Sequence, residues 1–548
     1  MATGIPTFKV DIAEGIIDVD TSADRLFAYC IESDRGPENT PYFVASNKEA
    51  QRVFGNKIDF APHFYQKPTG LVLIRVGFED SAAGKIEYKG KLDGEETEKT
   101  ILTIEATSPG PCEYKVLIKE ALVGDGFGLT VSLDNVTSKS YQNISSIRRV
   151  AERINKRFGN YLKATLTTDT NGKFLVDSIT DNSNVTVFKE DDIADNPSAG
   201  LLTGGTNGYM KDSTGKKTTY KVTDDQYGLK GTASPNNKTS VARTLQDAYT
   251  KAFDASSYVD VIGVAALSDQ EIVRNVLRTH INHMVDPEVH TYRFGITSVL
   301  PCDDVTDKND STKKIRTVES LCGLAEKLDS EWIICIGQGV KFQKENEEPI
   351  TLEPYQAVQL YTGLRSSLGY SEAIFGGEQK KVLRGVIDTC PITNDGIDLL
   401  KDDIVDLNQA GICTFKKEYN EITFVEGVTT IQEQDVMSYE NLMSIIAYVV
   451  KRLVRIAKPY QGQRLTEDLK STLQTALSAE LKTITESDGT LMALEEFNIP
   501  PYDVQVYSAA KTKFDETNHL VRESKIIIQC RIVPVGALRD IDLQVIAI

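Results

Sequence analysis

Histidine and tryptophan are scarce in this chain. Five histidines and one tryptophan are spread over 548 residues, and neither a G-x-S-x-G nucleophile elbow nor an H-E-x-x-H helix occurs. The eight cysteines (Cys30, Cys112, Cys302, Cys322, Cys335, Cys390, Cys413 and Cys530) include no C-x-x-C pair, and several sit in apolar runs such as WIICIG. They read as buried free thiols, not as zinc ligands or a disulfide framework. Long apolar runs are missing too: none approaches the roughly 18 residues needed to cross a bilayer. The first residues lack the basic and apolar regions of a signal peptide, so synthesis in a cytosol, without membrane insertion, is expected. Positive charge is in deficit, with 61 Lys and Arg against 79 Asp and Glu. The formal net charge of -18 opposes non-specific affinity for nucleic acid or anionic membranes, and no direct nucleic-acid partner is expected.

Four stretches resemble chemistry, and each has a simpler reading. Asp303, Asp304, Asp307 and Asp310 form an acidic loop, but counted from Asp307 it has no Gly at the sixth position and no Glu at the twelfth, as a calcium loop requires. GYMKDSTGKKT has its glycines too far apart for a phosphate loop, and Lys217 stands where the magnesium-binding hydroxyl belongs. His280 and His283 share a helix face without a third ligand at metal-site spacing. In SSIRRVAERINKRF, the residues Arg148, Arg149, Arg153, Lys156 and Arg157 line one face; solvation of a helix packed on a sheet accounts for them. No catalytic, metal or cofactor site is expected.

A chain of this length implies roughly three to four domains, and 40% hydrophobic with 26% charged residues is a folded composition. The opening DRLFAYCIESDRGPENTPYFVASNKEAQRVFG predicts a strand at Leu26 to Ile31, a turn and a second strand, as at the edge of a mixed sheet. From Gly70 to Gly208 short strands dominate (LVLIRVGF, ILTIEAT, YKVLIKEAL, GLTVSL, KATLTT, KFLVDSI, NVTVF). One amphipathic helix interrupts them, with Ile147, Val150, Ala151, Ile154 and Phe158 on its apolar stripe. A polar Gly- and Lys-rich stretch to Lys238 reads as a long exposed loop or hairpin joining two modules. From Ser240, apolar strands alternate with amphipathic helices, which implies a mainly parallel sheet covered on both faces. The fold class expected is a multidomain mixture of α/β and α+β: an α/β core, an inserted β-rich domain and a C-terminal α+β domain.

Both ends have strand character. PTFKVDIAEGIIDV places Phe8, Val10, Ile12, Ile16 and Val19 in extended, β-branched sequence. The last stretch, KIIIQCRIVPVGALRDIDLQVIAI, holds two apolar runs split by a Pro-Val-Gly turn signal. Ile541, Leu543, Val545 and Ile548 lie in the second, whose backbone groups need partners.

Several phrases, in order, then carry a family resemblance: DRGPENTP with VASNKEAQRVFG, ILTIEATSPG, DNSNV, LTGGTNG, LEPYQAVQLYTGL, LNQAGICTFKKEYNEITFVEGVTT, YENLMSIIAYVVKRLVRIAKPY and the closing IIIQCRIVPVGALRDIDLQVIAI. Together they span nearly the whole chain, which resembles the contractile tail sheath proteins of bacteriophages, tail-like bacteriocins and related injection systems. After Ser-Pro-Gly the family often has Trp-Gly-Asn where this chain has Pro111, Cys112 and Glu113, so no role is carried onto those positions.

The resemblance implies a structural, non-enzymatic subunit without cofactors. Such subunits form hexameric rings stacked helically round a tube, and contraction drives the tube through a bacterial envelope. Implied partners are further copies of the chain, the tail tube protein, and baseplate and tail terminator proteins; the location is a virion tail sheath assembled in bacterial cytoplasm. The expected division is an N-terminal arm (1–24), a core (25–69 and 239–410), an inserted outer domain (70–238), a tube-facing C-terminal domain (411–540) and a C-terminal arm strand (541–548). Phe8, Val10, Ile12, Ile16, Val19, Ile541, Leu543, Val545 and Ile548 are the expected inter-subunit strand residues. Lys451, Arg452, Arg455 and Lys458 form a basic patch for which a tube contact and a merely solvated face are both open readings. Two other classes stay open: a metal-dependent α/β hydrolase using the acidic loop at Asp303, and a non-contractile self-assembling shell protein.

Overall fold

A computed structural model describes residues 25–535, apart from 212–216, 220–234, 300–304, 307–313, 392–400, 515–519 and gaps of at most four residues. Its largest unit is built on a seven-stranded sheet. The strand order is Pro41–Val44, Leu71–Arg75, Phe27–Ile31, Gly263–Ala266, Phe294–Ser298, Ile333–Ile336 and Ile412–Cys413. Every neighbouring pair is parallel except the first, which is antiparallel. Six of the strands are buried at every position, as continuous apolar runs in a sheet covered on both faces must be. The stretch expected at the edge of a mixed sheet supplies that edge through the half-buried, antiparallel Pro41–Val44, while Phe27–Ile31 lies inside the sheet.

The covering helices lie close to the segments that periodicity predicts. Glu271–Met284, Val318–Glu326 and Pro354–Ser367 follow their strands, and Thr317 with Ser320 closes a reciprocal capping box on the second. The helix expected from Ser240 begins earlier, at Pro235, and runs to Ser256. On either side of the polar connection's undescribed residues, Tyr209–Lys211 and Lys217–Thr219 pair as an antiparallel ribbon, which is not a strand–loop–helix phosphate site.

The β-rich insertion has its own core. One sheet runs Lys85–Lys91, Glu98–Ala106, Leu162–Leu166; the other runs Tyr114–Glu120, Phe127–Leu133, Thr137–Ile144. Helix Ile147–Phe158, capped by Ser146, buries the five residues of its apolar stripe into this second cluster. Two expected strands differ: Leu175–Ser178 is a 3-10 turn, and of NVTVF a single bridge, Val185 to Gly90, forms. Leu175, Val176, Val187 and Phe188 pack side chains against the cluster, so their apolar character reflects burial and not ladder pairing. The division expected at residue 70 falls just before Leu71–Arg75, a strand of the core sheet.

After Cys413 the chain does not leave the core at once. The hairpin Phe415–Glu418 and Glu421–Phe424 buries Phe415, Ile422 and Phe424 in the same large cluster. Helix Glu440–Ala457 then serves two cores. Met443 and Ala447 belong to the large cluster, whereas Ile445, Tyr448, Val449 and Leu453 join a third with Leu473, Leu477 and Leu481 of helix Glu467–Thr483.

Candidate assembly surfaces

The first junction is held by a buried guanidinium. Arg75, the last residue of its strand and 1% exposed, donates from Nε to the Ser33 carbonyl (3.0 Å). Its Nη1 donates to the carbonyls of Gly36 (2.8 Å) and Pro109 (2.6 Å), and its Nη2 lies 3.4 Å from Glu38. Pro109 belongs to the inserted unit, so one side chain ties the insertion to the core. The turn at Arg35 to Glu38 is the cradle: Gly36 adopts φ +102°, and a Cβ there would lie 2.5 Å from the ring of Phe54. We expect Arg75→Met to cost about 2–3 kcal/mol, because it strands three buried carbonyls while keeping the packed stem. Urea unfolding of the variant checks this, and a change under about 0.5 kcal/mol would contradict it.

The second junction is the shared helix. At its buried start, Glu440 lies 3.5 Å from Arg365 and accepts from the Ser444 hydroxyl at 2.8 Å. Arg365 also donates to the carbonyls of Glu372 (2.6 Å) and Gly369. Further along, Lys451 donates to Asp260 (3.0 Å) and to the Val261 carbonyl (2.6 Å), and Arg455 donates to the other Asp260 oxygen (3.0 Å). Burial opposes ionisation of Asp260, but Lys451 and Arg455 outweigh it and hold its carboxyl below the usual range. Arg452 pairs with Glu480 of the following helix and lies 5.7 Å over the ring of Tyr448. Tyr448 stacks on Tyr370 at 4.2 Å, and the Arg25 guanidinium lies 5.8 Å from the Tyr370 ring. The residue that follows the N-terminal arm is therefore set beside this helix.

Half of the basic patch expected from sequence is thus turned inward. Lys451, Arg452 and Arg455 clamp their helix to the core and to its neighbour; Arg455 and Lys458 are the exposed members. Charge reversal at Arg452 and Arg455 would break these internal pairs as well as any external contact. Nothing in the sequence announces Arg365, Glu440 or Asp260, whose partners lie 75 to 195 positions away. Arg75 is equally silent.

The third surface is a β-ribbon. Tyr502–Ser508 pairs antiparallel with Ile526–Ile532 in full register, Val504 opposite Cys530 and Val506 opposite Ile528. These inward residues lie on the third cluster, while Gln505, Tyr507 and Gln529 face outward and are exposed. Lys511–Phe514 and Leu520–Glu523 extend the same hairpin. Among the described residues the ribbon has two strands and two unpaired edges. The first terminal run is therefore a strand of this unit's own sheet; the arm residues Phe8, Val10, Ile12, Ile16, Val19, Ile541, Leu543, Val545 and Ile548 lie outside the described residues.

Among the described residues no catalytic arrangement accompanies these surfaces. Among the described residues no group of three or more His, Cys, Asp or Glu is placed to hold a metal, and the loop from Asp303 to Asp310 lies largely outside them. His280 is buried, stacks on Phe253 and lies 3.4 Å from the Ser256 hydroxyl, whereas His283 is exposed; the pair does not converge. The six described cysteines are free. Among the described residues no helix is long and apolar enough to cross a membrane. On the insertion's helix, Arg148 pairs with Asp177 at 2.7 Å and Arg153 covers the ring of Tyr141.

Two solved structures match this architecture over almost its whole length. A sheath tail protein from Desulfitobacterium hafniense superposes with a TM-score of 0.55 at 12% identity, covering 95% of this chain and all of the other. The fold is that of sheath tail proteins. A second sheath tail protein, from Listeria innocua, gives 0.54 at 12% identity over 92% of this chain and 97% of its own. No family model matches the sequence, and no curated protein matches it. In this sheath-tail fold the inserted unit and the ribbon unit both join the α/β core through buried arginines, Arg75 at the first junction and Arg365 at the second.

Proposed function

We propose that the chain is a structural subunit of a contractile sheath, polymerising in stacked hexameric rings round a tube and needing no catalytic site or cofactor. The observation that carries this reading is the two-edged ribbon of Tyr502–Ser508 and Ile526–Ile532 within a sheath-tail fold. A two-stranded ribbon is marginal alone, and strands added at its edges would satisfy backbone groups in trans. The sequences at both chain ends are strand-like, and Arg25, the residue after the N-terminal arm, lies beside the same unit. Linkage through added strands lets rigid subunits turn about their arms, as a contracting lattice needs. Arg455 and Lys458, the exposed part of the basic patch, are the proposed tube contacts. Baseplate and terminator proteins are the proposed partners at the two ends of the polymer.

Electron microscopy of the purified chain tests the reading. Hollow tubes are expected, and discrete monomers or closed shells would overturn it. Deleting Ile541 to Ile548 should abolish tubes while leaving a folded monomer with an unchanged circular dichroism spectrum. Normal tubes from that truncation would refute the role of the C-terminal arm.

A further inference from the structure

Between the core and the inserted unit lies a cleft of about 620 Å³ that the sheath reading leaves unused. Helix Asn47–Phe54 forms one wall; the hairpin ending at Leu133 and restarting at Thr137, with the end of helix Ile147–Phe158, forms the other. Five cations line it (Arg35, Lys48, Arg52, Lys139 and Arg157) over an aromatic floor that includes Tyr141, and among the described residues no Asp or Glu lines it; Arg52 pairs along its own helix with Glu49 at 3.5 Å. Arg35 is fixed at the base, where its Nη2 donates to the Gln51 carbonyl at 2.8 Å. Lys48, Lys139 and Arg157 are exposed, and no carboxylate among the described residues pairs with them. In a chain of net charge -18, five cations gathered in one concavity create a local field opposite to that of the whole.

The complementary feature lies at the other end of the same unit. The turn joining Lys85–Lys91 to Glu98–Ala106 carries Asp93, Glu95, Glu96 and Glu98 within six residues, all exposed. Glu95 pairs with Lys99 at 2.7 Å, and Gly94 turns the chain at φ +82° with open space about it. Tyr161, beside the cleft, is at the opposite end of these strands, where Ala106 pairs with Leu162. The nine-residue strand Glu98–Ala106 separates the two ends by roughly 26 Å. The acidic turn therefore cannot enter the cleft of its own chain.

We infer that the cleft receives the acidic turn Asp93–Glu98 of a second copy of this chain. A contact between two different patches of one molecule is head-to-tail, and repetition of it generates a ring or a helix and not a closed dimer. Single exposed pairs are worth at most about 1 kcal/mol, so the contact needs several at once and weakens with salt. This self-contact does not depend on the sheath reading.

The test mixes full-length chain of natural isotope content with fully 15N-labelled chain and couples touching carboxylates to amines with a water-soluble carbodiimide. Mass spectrometry should find Lys48 or Lys139 joined to Glu95 or Glu96 in peptides that combine both isotopes. In Arg52→Glu/Arg157→Glu, which keeps both reporting lysines and alters exposed positions, the mixed product should fall about tenfold with an unchanged melting temperature, the loss expected for about 1.4 kcal/mol of contact. Absence of mixed products, links confined to single-isotope peptides, or an unchanged yield in the variant would each overturn the proposal. Microscopy of the same samples separates the two readings. Tubes without mixed links refute the cleft contact alone, and mixed links without tubes refute the sheath reading alone.

Discussion

Replacing Glu440 with alanine is expected to destabilise the protein by about 3–5 kcal/mol, because it leaves the Arg365 guanidinium buried without its counter-charge. The two side chains are 1% and 0% exposed and 3.5 Å apart, so water cannot take over the lost contact. Carbonyls of Glu372 and Gly369 solvate part of the guanidinium, which keeps the cost finite. The loss falls at the start of the helix that carries Met443 into the core and Val449 into the third cluster, so both units should loosen together. Urea unfolding followed by tyrosine fluorescence and by far-ultraviolet dichroism measures it. A loss under about 1 kcal/mol would show that the pair is not what fixes the helix. The double variant Arg365→Met/Glu440→Leu should recover most of the stability, since an apolar pair of similar volume removes both desolvation costs.

How much of this could be read from sequence depends on the range of the forces concerned. Phe27–Ile31 and Ile333–Ile336 are legible as strands because an apolar run between turn signals has few other uses. Glu440–Ala457 is legible as a helix from its spacing, and Ile526–Ile532 as a strand of its own unit. The place of Phe27–Ile31 inside the sheet was not legible, since neighbours in a parallel sheet are set by crossovers hundreds of residues long. Lys451 and Arg452 show the same limit at the candidate site. Their spacing gives a basic helix face, but whether that face meets solvent, a tube or Asp260 depends on the packing of a segment nearly two hundred residues away. The cleft cations escape for a further reason: Lys48, Lys139 and Arg157 come from separate elements and form one field only after two units dock.

Acidification should weaken the fold well before its carboxylates titrate. Burial pushes the imidazole of His63 down to about 3, where it sits between the Thr362 hydroxyl (3.0 Å from Nδ1) and the ring of Tyr29. His280 is likewise pushed down to about 3, first by burial and then by the charges of Arg293 and His283. In the unfolded chain both titrate near 6.5, so between about 6.5 and 3 the unfolded state binds more protons than the folded one. Stability therefore falls as the pH drops through that window, by up to about 1.4 kcal/mol per pH unit for each histidine and about 2.7 for the two. Asp260, whose carboxyl lies below its ordinary value of 3.8, adds its own loss only at the acid end. Against a typical total of about 5–15 kcal/mol, that loss is a large share of the stability by pH 4. The measurement is the unfolding free energy in urea at half-unit steps from pH 7 to 4.5. His280→Phe should halve the slope: a neutral ring can keep the stack on Phe253, and Ser256 retains its bond to the Phe253 carbonyl. A slope that is flat in the parent chain, or unchanged in the variant, would mean that the buried histidines open to water without disturbing the sheet they lie against.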